Sequence, residues 1–272
     1  MAPLPEDLDL AALRRRLDTR IIGNVLARYE RVASTSELAR QQARAGHPEG
    51  LVVLAEEQSA GRGRVGRSWI APYGEALLLS VLLRPTWLPP GEAFTLTMLA
   101  ALALCEAVER TVPIAARLKW PNDLLLPATD GLRKAAGILT ELSIAGDHIE
   151  WAVIGIGVNV NQAPDETVDG RDLRVTATSL SAVAGRSVER APLLEALLAR
   201  LDERYMLLHT GAHTSLFAEW RARLEWMGEL ITVRLPGGEI SGIAEDVASD
   251  GTLLLRDTTG RQHAIHTGDV GF

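Results

Sequence analysis

Hydrophobic and polar positions divide this chain into stretches of distinct period. "STSELARQQARAG" (34–46) reads as a helix: Ser34 and Glu37 have capping-box spacing, and Gly46 stands where a C-terminal glycine belongs. "GLVVLAEEQ" is a short continuous apolar run and predicts a buried strand; "EALLLSVLLRP" predicts another, ending at Pro85. "AFTLTMLAALALCEAVERTV" predicts a long apolar helix stopped before Pro113. "AARLKWPNDLLL", "KAAGILTELSI" and "HIEWAVIGIGVNVN" have the short runs and turn breaks of successive strands and hairpins. From "SVERAPLLEALLARLDERYMLLHT" to "SLFAEWRARLEW" the helical period returns, with Pro192 near the first turn. The remainder, from "MGELITVRLPGG" onward, alternates short strands with Pro-Gly-Gly, Ser-Asp-Gly and Thr-Thr-Gly turns and predicts a small all-β barrel. At about 45 residues that barrel is near the lower limit for independent stability, so it is expected to lean on the larger domain.

Length and composition narrow this picture. The 272 residues suit one large domain with a small one, or a single large domain. A hydrophobic share of 47%, a charged share of 23% and a net charge of −7 describe an ordinary folded protein and argue against a general DNA binder. The single cysteine, Cys105 in "LALCEAV", excludes an intramolecular disulfide and a cysteine-rich metal site, fits a reducing cytoplasm, and reads as a buried small hydrophobe. The N-terminus lacks the pattern of a secretory signal, and no apolar run reaches membrane-spanning length uninterrupted, so a soluble intracellular protein is expected. No internal repeat or low-complexity tract stands out.

Two constellations carry candidate chemistry. In "QSAGRGRVGRSW" (58–69), Gly61, Gly63 and Gly66 match G-x-G-x-x-G, yet the dinucleotide reading fails on context. The preceding strand ends early, Pro72 and Gly74 follow in place of a helix, and no acidic residue for a ribose appears at the required distance. Arg62, Arg64 and Arg67 repel one another on a glycine-rich backbone that is costly to order, which favours a mobile loop closing over a phosphorylated ligand. The second constellation is "KWPNDLLL" with "RKAAGILTEL". Pro121 holds Trp120 away from helical backbone and Asn122–Asp123 favours a turn, leaving Lys119, Asn122 and Asp123 at the end of a strand pair, or simply in a polar hairpin turn. Lys134 precedes a segment that should be buried, and a lysine drawn inward needs an anionic partner.

These stretches, with "STS", "APYGEALLLSV", "IGIGVNVN" and "ATSL", stand in the order and spacing of the bacterial biotin protein ligases, also called biotin–acetyl-CoA-carboxylase ligases, and the resemblance covers most of residues 23 to 272. It implies an α+β fold: a mixed sheet backed by helices, of the class II synthetase and biotin ligase kind, then an SH3-like β-barrel. The implied domains are an N-terminal extension over 1–22, a catalytic domain over 23–226 and the SH3-like domain over 227–272. The implied reaction joins biotin to ATP, holds biotinyl-5′-AMP and passes biotin to one lysine of a biotin carboxyl carrier protein or domain of a biotin-dependent carboxylase.

By the same resemblance, Arg62, Arg64 and Arg67 belong to the loop that orders over biotin and the adenylate, together with Gly61 and Gly63. Lys134 grips the biotin carboxylate, Lys119 and Asn122 lie on the nucleotide side, and Asp123 lies near Mg²⁺ and the incoming lysine. Trp69 flanks the adenine side, or merely packs. Ser34, Thr35 and Gln58 serve biotin's ureido ring, with a helix cap as the bland alternative for Ser34. Ser36 stands where the family often has Asn. Gly155 and Gly157 would let a strand approach biotin, or mark a bulge, and Asn159 would brace the nucleotide site or satisfy backbone groups.

Some members of that family carry an N-terminal DNA-binding module, but only about 22 residues precede the matching region, so a ligase-only type is expected. The acidic balance, the lack of a membrane-spanning run and the lone cysteine lead to the expectation of no DNA partner, no membrane partner and a cytoplasmic setting, and a homodimer through the sheet stays open. The six histidines, including His209 and His213, are expected to be solvated and not zinc ligands. Two other readings remain: an adenylating ligase for another acid such as lipoate, and a nucleic-acid-binding module, against which the acidic balance counts.

Overall fold

The computed structural model describes residues 7 to 271. Seven strands form the main sheet: β1 (Val25–Val32), β2 (Leu51–Gln58), β3 (Ala76–Leu83), β4 (Arg117–Lys119), β5 (Asp123–Ala128), β6 (Gly131–Ala145) and β7 (His148–Asn159), in the order β1-β2-β3-β7-β6-β5-β4. The β1–β2 pair is parallel and the other ladders are antiparallel, so the sheet is mixed.

Helices cover both faces, and this explains the unbroken apolar runs. In β2, Val52 and Leu54 enter the large core while Leu51 and Val53 pack on the opposite side with Ala39 and Ala43. A strand buried on both faces has no polar side to alternate. Those two alanines belong to α2 (Thr35–Arg44); the large core holds α3 (Phe94–Thr111) and α6 (Arg190–His209). With its preceding turn, α3 is long and apolar enough to cross a bilayer, contrary to the expectation from the sequence. The same composition is required because thirteen of its residues, from Thr95 to Val108, are buried inside the protein. Cys105 lies on this helix, and burial pushes its thiol up to about 12.

The described part of the N-terminal extension is tied down, whereas residues 1 to 6 lie outside the described chain. In α1 (Leu10–Arg16), Asp9 caps the backbone N–H groups of Ala11 and Ala12. Asp202 of α6 accepts from the N–H groups of Arg20, Ile21 and Ile22, each at 2.8 Å.

After β7, the chain makes a short hairpin of β8 (Thr167–Val168) and β9 (Arg171–Asp172), the brief helices α4 (Leu173–Thr176) and α5 (Leu180–Ala184), then α6 and α7 (His213–Ala222). The C-terminal strands are β10 (Leu230–Leu235), β11 (Gly238–Val247), β12 (Leu253–Arg256), β13 (Gln262–Ile265) and β14 (Asp269–Gly271). They form an antiparallel sheet in the order β13-β12-β11-β10-β14. Among the described residues no ladder joins β13 to β14, the two ends of that order.

This small sheet docks on the large one. Trp120 Nε1 donates to Gly251 O at 2.7 Å, and a Cβ on Gly251 would meet the Phe94 ring at 2.3 Å. With φ at +84°, Gly251 is a position that only glycine fills without strain. The docking brings β14 against the end of β4, where the charged residues lie.

Candidate active site

One cavity of about 350 Å³ collects the sequence candidates. The N-terminus of α2 brings Ser34, Thr35 and Ser36; the end of β2 brings Gln58; the following loop brings Arg62, Gly63, Arg64, Arg67 and Trp69. The β4–β5 turn, which includes a cis Trp120–Pro121 peptide, brings Lys119, Asn122 and Asp123. Lys134 comes from β6, and Gly155, Gly157 and Asn159 from β7. Gly61 is the exception, because it does not line the cavity. Its carbonyl accepts from Trp69 N at 2.9 Å, and a Cβ there would meet Trp69 O at 2.2 Å, so Gly61 closes the neck of the loop.

At one end the cavity is neutral and polar. Ser34 is the N-cap residue of α2 but makes no side-chain capping bond, so its hydroxyl is not spent on the helix. Glu37 does not complete a capping box and instead pairs with Arg40. Gln58 Oε1 accepts from Thr35 N at 2.8 Å and Thr35 Oγ1 at 3.1 Å. The glycines of β7 line the cavity and also face side chains of the protein. A Cβ on Gly155 would stand 2.6 Å from Ser36 Oγ, and one on Gly157 would stand 2.4 Å from the Trp69 ring. Gly157 is therefore the seat of the indole, whose Nε1 is buried with no acceptor.

At the other end charge dominates. Lys134 Nζ lies 2.7 Å from Asp123 Oδ1 and 5.4 Å from the centre of the Trp69 ring, which holds the ammonium between a carboxylate and an aromatic face. Lys119 Nζ lies 3.6 Å from Asp123 and 3.2 Å from Asp269. Asp269 also meets Arg171 at 2.6 Å and Arg67 at 3.3 Å. Burial alone would raise the Asp269 pKa, but Lys119, Arg171 and Arg67 outweigh it and hold the carboxyl well below the usual range.

Arg64 is half-buried, and its Nε is buried with no hydrogen-bond partner. Burial lowers its pKa, with Asp123 and Asp269 opposing that shift and Arg67 adding to it. Lys119, Lys134, Arg64, Arg67 and Arg171 thus stand against Asp123 and Asp269 in this region of the lining, an excess of positive charge suited to an anion.

Two asparagines serve partly as braces. Asn122 Nδ2 donates to Ile138 O at 2.6 Å, fixing the β4–β5 turn to β6. Asn159 Nδ2 donates to Thr178 O at 3.0 Å, while its Oδ1 is buried with no donor.

Reasoning from sequence missed Asp269, Arg171, Asp169 and Arg234, all of which line the cavity. Asp169, at φ +50° in the β8–β9 turn, accepts from Ser68 N at 2.7 Å and so fastens the arginine loop. Asp269 lies 135 positions beyond Lys134 in a short strand of the other sheet, and no local pattern marks it.

The donor set does not fit a metal held by the protein alone. No group of three His, Cys, Asp or Glu side chains is placed to hold one among the described residues, and both oxygens of Asp123 face lysines.

Comparison with known proteins agrees with this geometry. Residues 29–159 match the biotin/lipoate A/B protein ligase family, and residues 227–272 match the biotin protein ligase C-terminal domain. The chain is 34% identical to the bifunctional ligase/repressor BirA of Bacillus subtilis, over 98% of this chain and 79% of that protein. It is 36% identical to the biotin–[acetyl-CoA-carboxylase] ligase of Mycobacterium tuberculosis, over 88% of this chain and 85% of that one. Among solved structures, the biotin protein ligase of Aquifex aeolicus in complex with biotin and ATP superposes with a TM-score of 0.74 at 27% identity, covering 91% of this chain and 98% of that one. A seven-stranded mixed sheet, a polar pocket running into a cationic cleft, and a matched C-terminal domain that supplies Asp269 all accord with these matches, and the chain belongs to the biotin protein ligase family.

Proposed function

We propose that the cavity binds biotin and ATP together, forms biotinyl-5′-AMP and transfers biotin to a lysine of a carrier domain. The observation that carries this reading is the junction within one cavity of the neutral Ser34–Thr35–Gln58 end and the cationic Lys119–Lys134–Arg64–Arg67 end. Biotin has the same division, a neutral ureido ring and a carboxylate.

In the first step a biotin carboxylate oxygen attacks the α-phosphorus of ATP, and the bond to the bridging oxygen of pyrophosphate breaks. Lys134 stands where it can neutralise the attacking carboxylate, and Arg64 and Arg67 where they can neutralise phosphate. In the second step the neutral amine of the carrier lysine attacks the acyl carbon, AMP leaves with the electron pair, and a proton is lost from the new amide nitrogen. Asp123 is the carboxylate beside that centre, in reach of the proton once substrate anions draw Lys134 away. Asn159 Oδ1 and Trp69 Nε1, both buried without partners, are the groups offered to the nucleotide side. A cytoplasmic setting is supported by the lone buried Cys105.

The test combines the protein with α-labelled ATP and magnesium, adds biotin or lipoate, and looks for the acyl adenylate and for label-free transfer to a biotin carrier domain. Biotin-dependent adenylate is the expected product; its absence, or a lipoate-dependent product in its place, would overturn the reading. In the same assay Arg64→Gly should speed dissociation of the adenylate about tenfold or more, because a charge-assisted contact to phosphate is lost. An unchanged dissociation rate would remove Arg64 from the loop's grip.

A further inference from the structure

Ser80 lies in β3, is fully buried, and does not line the cavity, yet it touches two residues that do. Its Oγ is 2.8 Å from Thr35 Oγ1 and 3.0 Å from Ser36 Oγ. Each hydroxyl has a single proton to donate, so the direction of this chain can be worked out from one end.

Gln58 Oε1 supplies that end. Thr35 N–H points at it from 2.8 Å, and a backbone N–H requires an acceptor, so the carboxamide must present oxygen there. Thr35 Oγ1 also approaches this oxygen, at 3.1 Å, and must donate its proton. Thr35 then has no proton left for Ser80, so Ser80 donates to Thr35. Ser80 in turn has none left for Ser36, so Ser36 donates to Ser80. The sequence of donations is Ser36 to Ser80 to Thr35 to Gln58. Gln58 and Ser36, the two ends of this relay, both line the cavity: Gln58 keeps its Nε2 protons, which can only donate, and Ser36 Oγ keeps its lone pairs, which can only accept.

We propose that Ser80 is a positioning residue for substrate specificity: it orients the hydroxyl relay so that the pocket selects a ligand head with one carbonyl acceptor and adjacent N–H donors. This rests on the biotin ligase reading, and a cyclic urea has that complement. The neighbouring strand closes in on this pair of hydroxyls: a Cβ on Gly155 would lie 2.6 Å from Ser36 Oγ and 3.6 Å from Ser80 Oγ. Without Ser80 the Ser36 hydroxyl loses its internal acceptor and turns its proton toward the ligand, where it opposes a ligand N–H.

The experiment compares wild type, Ser80→Ala, Ser36→Ala and the double variant in adenylate formation, using biotin and a carbamate analogue of biotin in which ring oxygen replaces one ureido N–H. Wild type must first form adenylate from biotin; failure there rejects the ligase reading and leaves nothing for Ser80 to tune. Given that control, Ser80→Ala should raise the biotin KM about tenfold, with the saturated rate and the ATP KM changed less than twofold. The preference for biotin over the carbamate should shrink at least fivefold. The double variant should be no worse than the poorer single one, since both cut the same relay. A biotin KM within twofold of wild type, or an unchanged preference over the carbamate, would overturn the proposal. If Ser80→Ala does not fold, as read by its thermal transition, Ser80→Cys replaces it with a weak donor, and the same two ratios decide.

Discussion

Lys134→Ala is expected to slow formation of the biotinyl adenylate about a thousandfold in a single turnover, while the protein stays folded. The reaction brings a carboxylate against the phosphates of a nucleotide. Two unit charges 4 Å apart repel by about 4 kcal/mol at an effective dielectric of 20. At about 1.4 kcal/mol per factor of ten, leaving that repulsion uncompensated accounts for the expected loss. Lys134 is suited to this role because its ammonium is already placed, 2.7 Å from Asp123 and over the Trp69 ring. Its side chain is 31% exposed, and Asp123 retains Lys119 at 3.6 Å, so removal should change the unfolding midpoint only slightly. A rate within a few fold of wild type would exclude Lys134 from the chemical step.

Asp269→Ala should have the largest effect on stability. The carboxylate gathers Lys119 from β4, Arg171 from β9, Arg67 from the loop and its own strand in the C-terminal sheet. Removing one partner from a buried ion cluster leaves uncompensated cations and costs about 3–5 kcal/mol. Urea unfolding at neutral pH measures this directly.

The dependence on pH has a definite sign. The folded carboxyl titrates below the unfolded one, so its stabilisation is fully present above the ordinary aspartate pKa of about 3.9 and is lost as pH falls toward the depressed folded value. The stability gap between wild type and Asp269→Asn should therefore be constant near neutrality and narrow below about pH 4. A gap that persists unchanged in acid would mean that the cations do not hold Asp269 ionised.

Much of the site was legible because it is made of local patterns. Glycine and arginine repeat within the loop at 61–67, lysine and aspartate flank a proline turn at 119–123, and Lys134 borders an apolar strand. Residue type and spacing could indicate anion chemistry at each one. What they could not indicate was partnership. Arg67 and Asp269 are 202 positions apart, and their 3.3 Å separation depends on how two sheets dock. For the same reason no local pattern pairs Gly157 with the Trp69 indole that the structure sets against it. Ser34 had two readings, a ligand contact and a helix cap; the cap bond is not made and the residue lines the cavity.

The fold shows the same division. Periodicity along the chain was enough to locate the main strands and long helices, because burial on one or both faces writes itself into neighbouring residues. The apolar richness of α3 had two readings, and only its enclosure by the sheet, α6 and α7 distinguishes a core helix from a bilayer-spanning one. Turns in the tail indicated short antiparallel strands, but whether a sheet closes is decided by pairing between its first and last members, and here β13 and β14 stay apart. Sequence alone specified which residue types were available for binding an anion and where each element begins. Tertiary structure alone specified which charges neutralise one another, which are left over for a ligand, and which way the buried hydroxyls point, because those depend on distances of a few ångströms between residues that share no local pattern.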